Sequence, residues 1–153
     1  MCIAIAKPKG VKMPSWDYLY NAFTNNPDGG GFAFAPGDGQ VYIKKGLMTW
    51  EAFKGALEAL MSQYNTTQMG MLIHTRITTH GGTNPGNTHP FPIVADEAAL
   101  HKTAYVSPYA VIHNGIITLT SSAARLSKGM SDTAVFVEKY LTLIAQNRNW
   151  FYN

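Results

Sequence analysis

Cys2 is the single cysteine of this 153-residue chain, and it directly follows the initial methionine. Removal of that methionine is favoured when the second residue is small, and it would leave Cys2 with both a thiol and a free α-amine. An α-amine titrates at about 7.7–8.0, so it can act as a general base near neutrality. One residue would then hold nucleophile and base together, the pairing found where an N-terminal amine activates a neighbouring side chain. Cys2 also reads as a small buried hydrophobe in a first strand, because free cysteine is often buried.

Three further segments carry groups suited to acyl chemistry on a charged substrate. In His74-Thr75-Arg76-Ile77-Thr78-Thr79-His80-Gly81 an arginine stands just beyond an apolar strand, in a polar loop. A guanidinium there can hold a carboxylate with two parallel hydrogen bonds, or be an ordinary surface residue. In Val111-Ile112-His113-Asn114-Gly115-Ile116-Ile117 the Asn-Gly pair separates two apolar runs. It reads either as a hairpin turn or as an amide and a backbone N–H donating to a developing oxyanion, each such donor being worth about 100- to 1,000-fold in rate. Asp132, in Ser131-Asp132-Thr133, is either a first-turn acid complementing a helix dipole or an acceptor for a substrate ammonium. The glycines of Asp28-Gly29-Gly30-Gly31 allow close backbone approach but match no phosphate-binding fingerprint.

These groups need elements to hold them. Cys2 to Ala6 reads as a short buried strand. Pro14 and Ser15 open a helix with Trp16, Leu19, Tyr20 and Phe23 on one face, which ends at Asn25-Asn26-Pro27-Asp28-Gly29. Gly30–Ala35 and Gln40–Lys45 form a hairpin around Pro36-Gly37-Asp38-Gly39. Thr49 caps a helix to about Ser62, with Phe53, Leu57, Leu60 and Met61 inward. Met69–His74 is strand-like, Arg76–Phe91 is too irregular for either element, and Ala110–Leu119 returns to strand pattern, broken at Asn114-Gly115. Ser131 caps a last helix from Asp132 to about Gln146, with Phe136, Tyr140 and Ile144 inward. Mixed strands and helices with hairpins imply a layered α+β architecture.

Composition limits the alternatives. Hydrophobic residues make up 46% and charged residues 14%, enough for a core and too little charge for a disordered chain. The length suits one domain spanning 1–153, which should bury roughly two-thirds of its unfolded surface. One cysteine excludes an internal disulfide and a multi-cysteine zinc site. His74, His80, His89, His101 and His113 form no helical pair with ligand spacing, and His74 and His113 sit in apolar strand patterns as core histidines. No metal and no cofactor is expected. The net charge of +3 is small and scattered over Lys7, Lys9, Lys12, Lys44 and Lys45, which argues against a nucleic-acid partner. No run nears the about 20 apolar residues of a membrane helix, and no secretory signal stands out, so a cytoplasmic location and no membrane partner are expected.

In this order, Met1-Cys2, Asp28-Gly29-Gly30-Gly31, the octad His74 to Gly81, Asn87-Thr88-His89-Pro90-Phe91, His113-Asn114-Gly115-Ile116-Ile117 and Ser131-Asp132-Thr133 resemble the glutaminase domain of class II glutamine amidotransferases, which are N-terminal-nucleophile hydrolases. The resemblance runs from Cys2 to about Lys139. It implies a four-layer αββα sandwich of two antiparallel sheets, whose C-terminal strands would here be either dispensed with or supplied by other sequence. It implies Cys2 as nucleophile, its α-amine as base, and Asn114 with Gly115 as oxyanion hole. Arg76 would clamp the glutamine α-carboxylate, Asp132 would accept its α-ammonium, and Thr79 and His80 would line the pocket. The implied reaction forms a γ-glutamyl thioester, releases ammonia to a separate synthetase and yields glutamate. The residues also allow an amide hydrolase with another substrate, or a binding module on the same scaffold without chemistry.

Overall fold

The computed structural model describes residues 2–78, 82–120 and 129–146. The fold is mixed α+β with antiparallel sheets. Five strands form the main sheet: β1 (Ile3–Lys7), β2 (Gly30–Ala35), β3 (Val41–Leu47), β4 (Gly70–Thr75) and β6 (Ala104–Ser107), in the order β1-β4-β2-β3-β6. A two-stranded ribbon joins β5 (Phe91–Pro92) to β7 (Ala110–Val111).

Two helices cover one face of the main sheet. Ser15 caps α1 (Trp16–Thr24) by accepting from the Tyr18 N–H, and Thr49 caps α2 (Trp50–Gln63) through the Ala52 N–H. Such caps satisfy first-turn donors that have no partner within the helix. Leu19 and Phe23 of α1 and Phe53, Leu57 and Leu60 of α2 pack on Phe32, Met71 and Ile73 of the sheet. Successive strand residues point to opposite faces, so Gly31, Ala33, Leu72 and His74 point away from this core. Their face meets a second cluster, built from the ribbon, α3 (Glu97–Leu100) and α4 (Asp132–Phe136), where Phe91, Leu100, Met130, Ala134, Val135 and Val137 pack together.

A bulge in β3 links the two faces. Gly30 pairs with Leu47 but Phe32 with Lys44, so Lys45 and Gly46 together oppose one residue of β2. Gly46 takes φ 74°, a conformation glycine adopts without the penalty of a side chain. As a result Leu47 enters the helical core while Lys45 turns to the opposite face, 1% exposed.

Several expectations are corrected. β1 is an edge strand, with Ala4 and Ala6 exposed. Tyr20 and Met61 face outward at the margins of their helical faces. Only Ala110–Val111 of the expected Ala110–Leu119 strand is extended, and Ile116 and Leu119 are exposed. Side chains take over the role of a partner strand there, since Asp132 accepts the Ile117 N–H. In the last helix Asp132 to Val135 are buried, while Tyr140 and Ile144 are exposed. A π turn at Val137–Leu141 inserts an extra residue per turn and rotates the face that follows.

Lys7 was counted among scattered charges, yet it is buried in a cage of carbonyls. Its Nζ donates to Thr66 O and Met69 O at 2.8 Å, Val11 O at 3.0 Å and Pro8 O at 3.3 Å. Replacing Lys7 by Met keeps the apolar stem but takes the ammonium from all four carbonyls, of which Pro8 O keeps the Val11 N–H and Thr66 O the Met69 N–H. We expect Lys7→Met to lose about 2 to 4 kcal/mol in urea unfolding; an unchanged midpoint would show the cage to be energetically idle.

Candidate functional site

Strand register builds the site. Ile3 pairs with Thr75 on one side of β4, and Gly30 pairs with Thr75 on the other. Cys2, one residue before the first pair, therefore lies beside the chain leaving β4. Its Sγ accepts from the Ile77 N–H at 3.3 Å and lies 3.4 Å from Ile77 O. A sulfur facing a backbone N–H has a donor for developing thiolate charge.

The segment before β2 wraps the same turn. Arg76 N donates to Gly29 O at 2.8 Å, Asp28 N donates to Arg76 O at 3.0 Å, and Asp28 Oδ2 accepts from Thr78 N at 2.8 Å. Gly29 has φ 103°, and a Cβ there would meet Met48 and Thr88 at 2.8 Å. Gly31 is packed against the His89 carbonyl and Lys45, with no room for a side chain. The glycine run thus serves close packing of backbone around Arg76.

Arg76 is 4% exposed, and its Nη1 donates to Gly82 O at 2.9 Å. Burial lowers its pKa from the ordinary guanidinium value, while attraction from Cys2, Asp28 and Asp132 opposes that shift. Four segments distant in sequence thereby share one electrostatic neighbourhood.

Asn114 comes from the irregular stretch after β7. Its Nδ2 donates to Cys2 O at 2.8 Å, and its Oδ1 stands 3.0 Å from His74 Nε2. Gly115 follows with φ 117°, and among the described residues a Cβ there would approach only the His113 ring, at 3.7 Å. Asp132 opens α4, whose cap Ser131 accepts from Ala134 N at 3.1 Å and donates its own N–H to Asn87 Oδ1 at 3.1 Å. The two oxygens of Asp132 accept from Thr133 N at 2.8 Å and Ile117 N at 2.7 Å, so helix and loop hold one carboxylate together. Thr133 Oγ1 lies 3.3 Å from His113 Nδ1.

Beneath this layer lie buried bases. Lys45 Nζ donates to Leu100 O and Gly86 O and sits 3.8 Å from the centre of the Phe91 ring. Burial, and then the charge of Arg76, push its pKa down to about 7. The His74 and His89 rings stack at 4.3 Å between centroids. Burial pushes His74 down to about 4, against the opposing effect of its bonds to Asn114 and the His113 backbone. His89 is likewise held well below the ordinary histidine range by burial, and then by the nearby His74, Lys45, Arg76 and His113.

Cys2, Arg76, Asn114 and Asp132 therefore converge, with Gly115 adjoining Asn114; Thr79 and His80 lie outside the described residues. The sequence did not single out the Ile77 N–H, the Asp28 carboxylate or the His74–Asn114 bond. The acid of Asp28-Gly29-Gly30-Gly31 was the available signal for Asp28, while a backbone donor has none. Among the described residues no group of three or more His, Cys, Asp or Glu could hold a metal ion, and no helix is long and apolar enough to cross a membrane. No family model, curated protein or solved structure matches the chain.

The neutral state of His74 has a consequence for stability. The unfolded chain binds a proton below about 6.5, the folded one only below about 4. The stability this allows is complete above pH 6.5 and is lost as pH falls through that window. The loss is on the order of 3 kcal/mol. Urea unfolding at pH 7.5 and 4.5 should show a smaller acid loss for His74→Gln than for the unmodified chain; equal losses would mean the imidazole is not held neutral.

Proposed function

We propose that this chain is a glutaminase domain of the class II glutamine amidotransferase type, acting through Cys2 on an αββα scaffold of N-terminal-nucleophile hydrolases. In this reading α1 and α2 form the first layer, the five-stranded sheet the second, the β5–β7 ribbon part of the third, and α4 the fourth. The observation that carries the proposal is the bond from Asn114 Nδ2 to the Cys2 carbonyl, 112 positions apart in sequence. It brings the amide expected to bind an oxyanion onto the residue expected to attack. Arg76 lies within electrostatic reach of both Cys2 and Asp132, and a cation with an anion suits a zwitterionic amino-acid substrate, since buried charges need partners.

In the proposed reaction, removal of Met1 frees the Cys2 α-amine, which takes the thiol proton. The sulfur attacks Cδ of the glutamine side chain, and the carbonyl electrons move onto oxygen. Asn114 Nδ2 and the Gly115 N–H donate to that oxyanion, and the Ile77 N–H stabilises sulfur before attack. Collapse of the tetrahedral species breaks the C–N bond, and the departing nitrogen takes the proton held by the α-amine to leave as ammonia. Water then attacks the thioester, its proton going to the same amine, and glutamate leaves as the thiol is restored.

Arg76 binds the α-carboxylate and Asp132 the α-ammonium. Asp132 Oδ1 accepts from both the Thr133 N–H and the Thr133 hydroxyl, while Oδ2 accepts only the Ile117 N–H among the described residues and keeps a second lone pair for an ammonium. A separate cytoplasmic synthetase takes the ammonia.

A glutamine-to-glutamate assay tests the proposal. The unmodified protein should turn over, and Cys2→Ala should not. Arg76→Lys should raise KM about tenfold at nearly constant kcat, because a point charge cannot reproduce the two-pronged bond. Turnover by Cys2→Ala would remove the nucleophile from the account, and an unaltered KM for Arg76→Lys would remove the carboxylate clamp.

A further inference from the structure

We propose that His74 is a positioning residue that fixes which end of the Asn114 amide faces Cys2. The inference rests on the glutaminase reading for its chemistry, but the geometry comes from three atoms with unambiguous roles. The Cys2 carbonyl oxygen only accepts hydrogen bonds, and a side-chain nitrogen or oxygen of Asn114 lies against it at 2.8 Å. The group there must be the NH₂, since two acceptors would repel. Asn114 Oδ1 consequently faces His74 at 3.0 Å, and it too only accepts. His74 Nε2 must therefore carry the proton, which leaves Nδ1 bare. That nitrogen is buried with no hydrogen-bond partner among the described residues, so the ring's hydrogen bonding to the His113 backbone falls to the same protonated Nε2.

The arrangement matters because an asparagine amide can turn over about its last torsion and present oxygen where nitrogen was. With Oδ1 held by His74, both N–H bonds of Asn114 point toward the cysteine. One is taken by the Cys2 carbonyl, and the second remains for the oxygen of the attacked amide. A turned amide would offer an acceptor to a growing negative charge. His74 is 0% exposed and its strand neighbours Ile73 and Thr75 are buried, so packing within β4 fixes the place of its ring.

Two measurements test this. The first is the tautomer of His74 in the full chain at pH 7.5, read from ring ¹⁵N shifts and assigned by loss of the signal in His74→Gln. Protonated Nε2 with bare Nδ1 is expected; the opposite tautomer would overturn the proposal without reference to any activity. The second is a comparison of two variants. The amide nitrogen of glutamine reaches about as far from the backbone as Nε2, so His74→Gln should keep kcat within about threefold. His74→Leu removes the donor and should lower kcat about 10- to 100-fold, with KM for glutamine nearly unchanged, since Arg76 and Asp132 are left alone. A KM effect at constant kcat, or equal losses in both variants, would reduce His74 to a core residue. Absence of glutamine turnover by the unmodified chain would instead overturn the glutaminase reading, and the tautomer alone would then decide the role of His74.

Discussion

The pairing of Ile3 with Thr75 is the constraint from which the site follows. Side chains alternate along a strand, so a slip of one residue would turn β1 over. Ile5 would leave the helical core, and Cys2 would lose the Ile77 N–H and the Asn114 amide at once. Burial of Ile5 and Ile73 against α1 and α2 therefore sets Cys2 on the opposite side of the strand end. The hydrophobic effect, non-directional in itself, becomes directional through the two-residue period of a strand.

Around that register the protein gathers cationic and potentially cationic side chains at low exposure, namely Lys7, Lys45, Arg76, His74 and His89. Burying charge is costly without partners. The protein answers in two ways. Lysines and Arg76 are turned toward main-chain carbonyls, which leave loop backbone and cation satisfied together. The histidines are kept neutral, which spares the region two further charges. The acids Asp28 and Asp132 then stand as the compensating charges for Arg76, each also tying down a backbone N–H of a loop.

Much of the local structure was legible in the sequence. Ser15, Thr49 and Ser131 cap helices because a cap is a contact over three residues, within the reach of a pattern. The hairpin from β2 to β3 and the inward residues Phe53, Leu57 and Leu60 followed from periodicity. What escaped depends on partners far along the chain. The Gly46 bulge, which sends Lys45 inward, is a mismatch between two strands. The extended pattern after Val111 was overridden by Asp132, and two of the carbonyls around Lys7, those of Thr66 and Met69, come from a turn 59 and 62 positions on. In the site, Cys2, Arg76, Asn114 and Asp132 stood out by residue type. His74 read as a core histidine, which it is by burial, but its bond to Asn114 spans 40 positions and no spacing rule reaches that far.

The central claim is that one leading residue contributes both the sulfur and the amine that activates it. Treatment with 6-diazo-5-oxo-norleucine, followed by mass mapping of the N-terminal peptide, tests it most directly. The account predicts a peptide that begins at Cys2 and carries the adduct on its sulfur. A peptide that begins at Met1 in every molecule, or an adduct on any other residue, would contradict it.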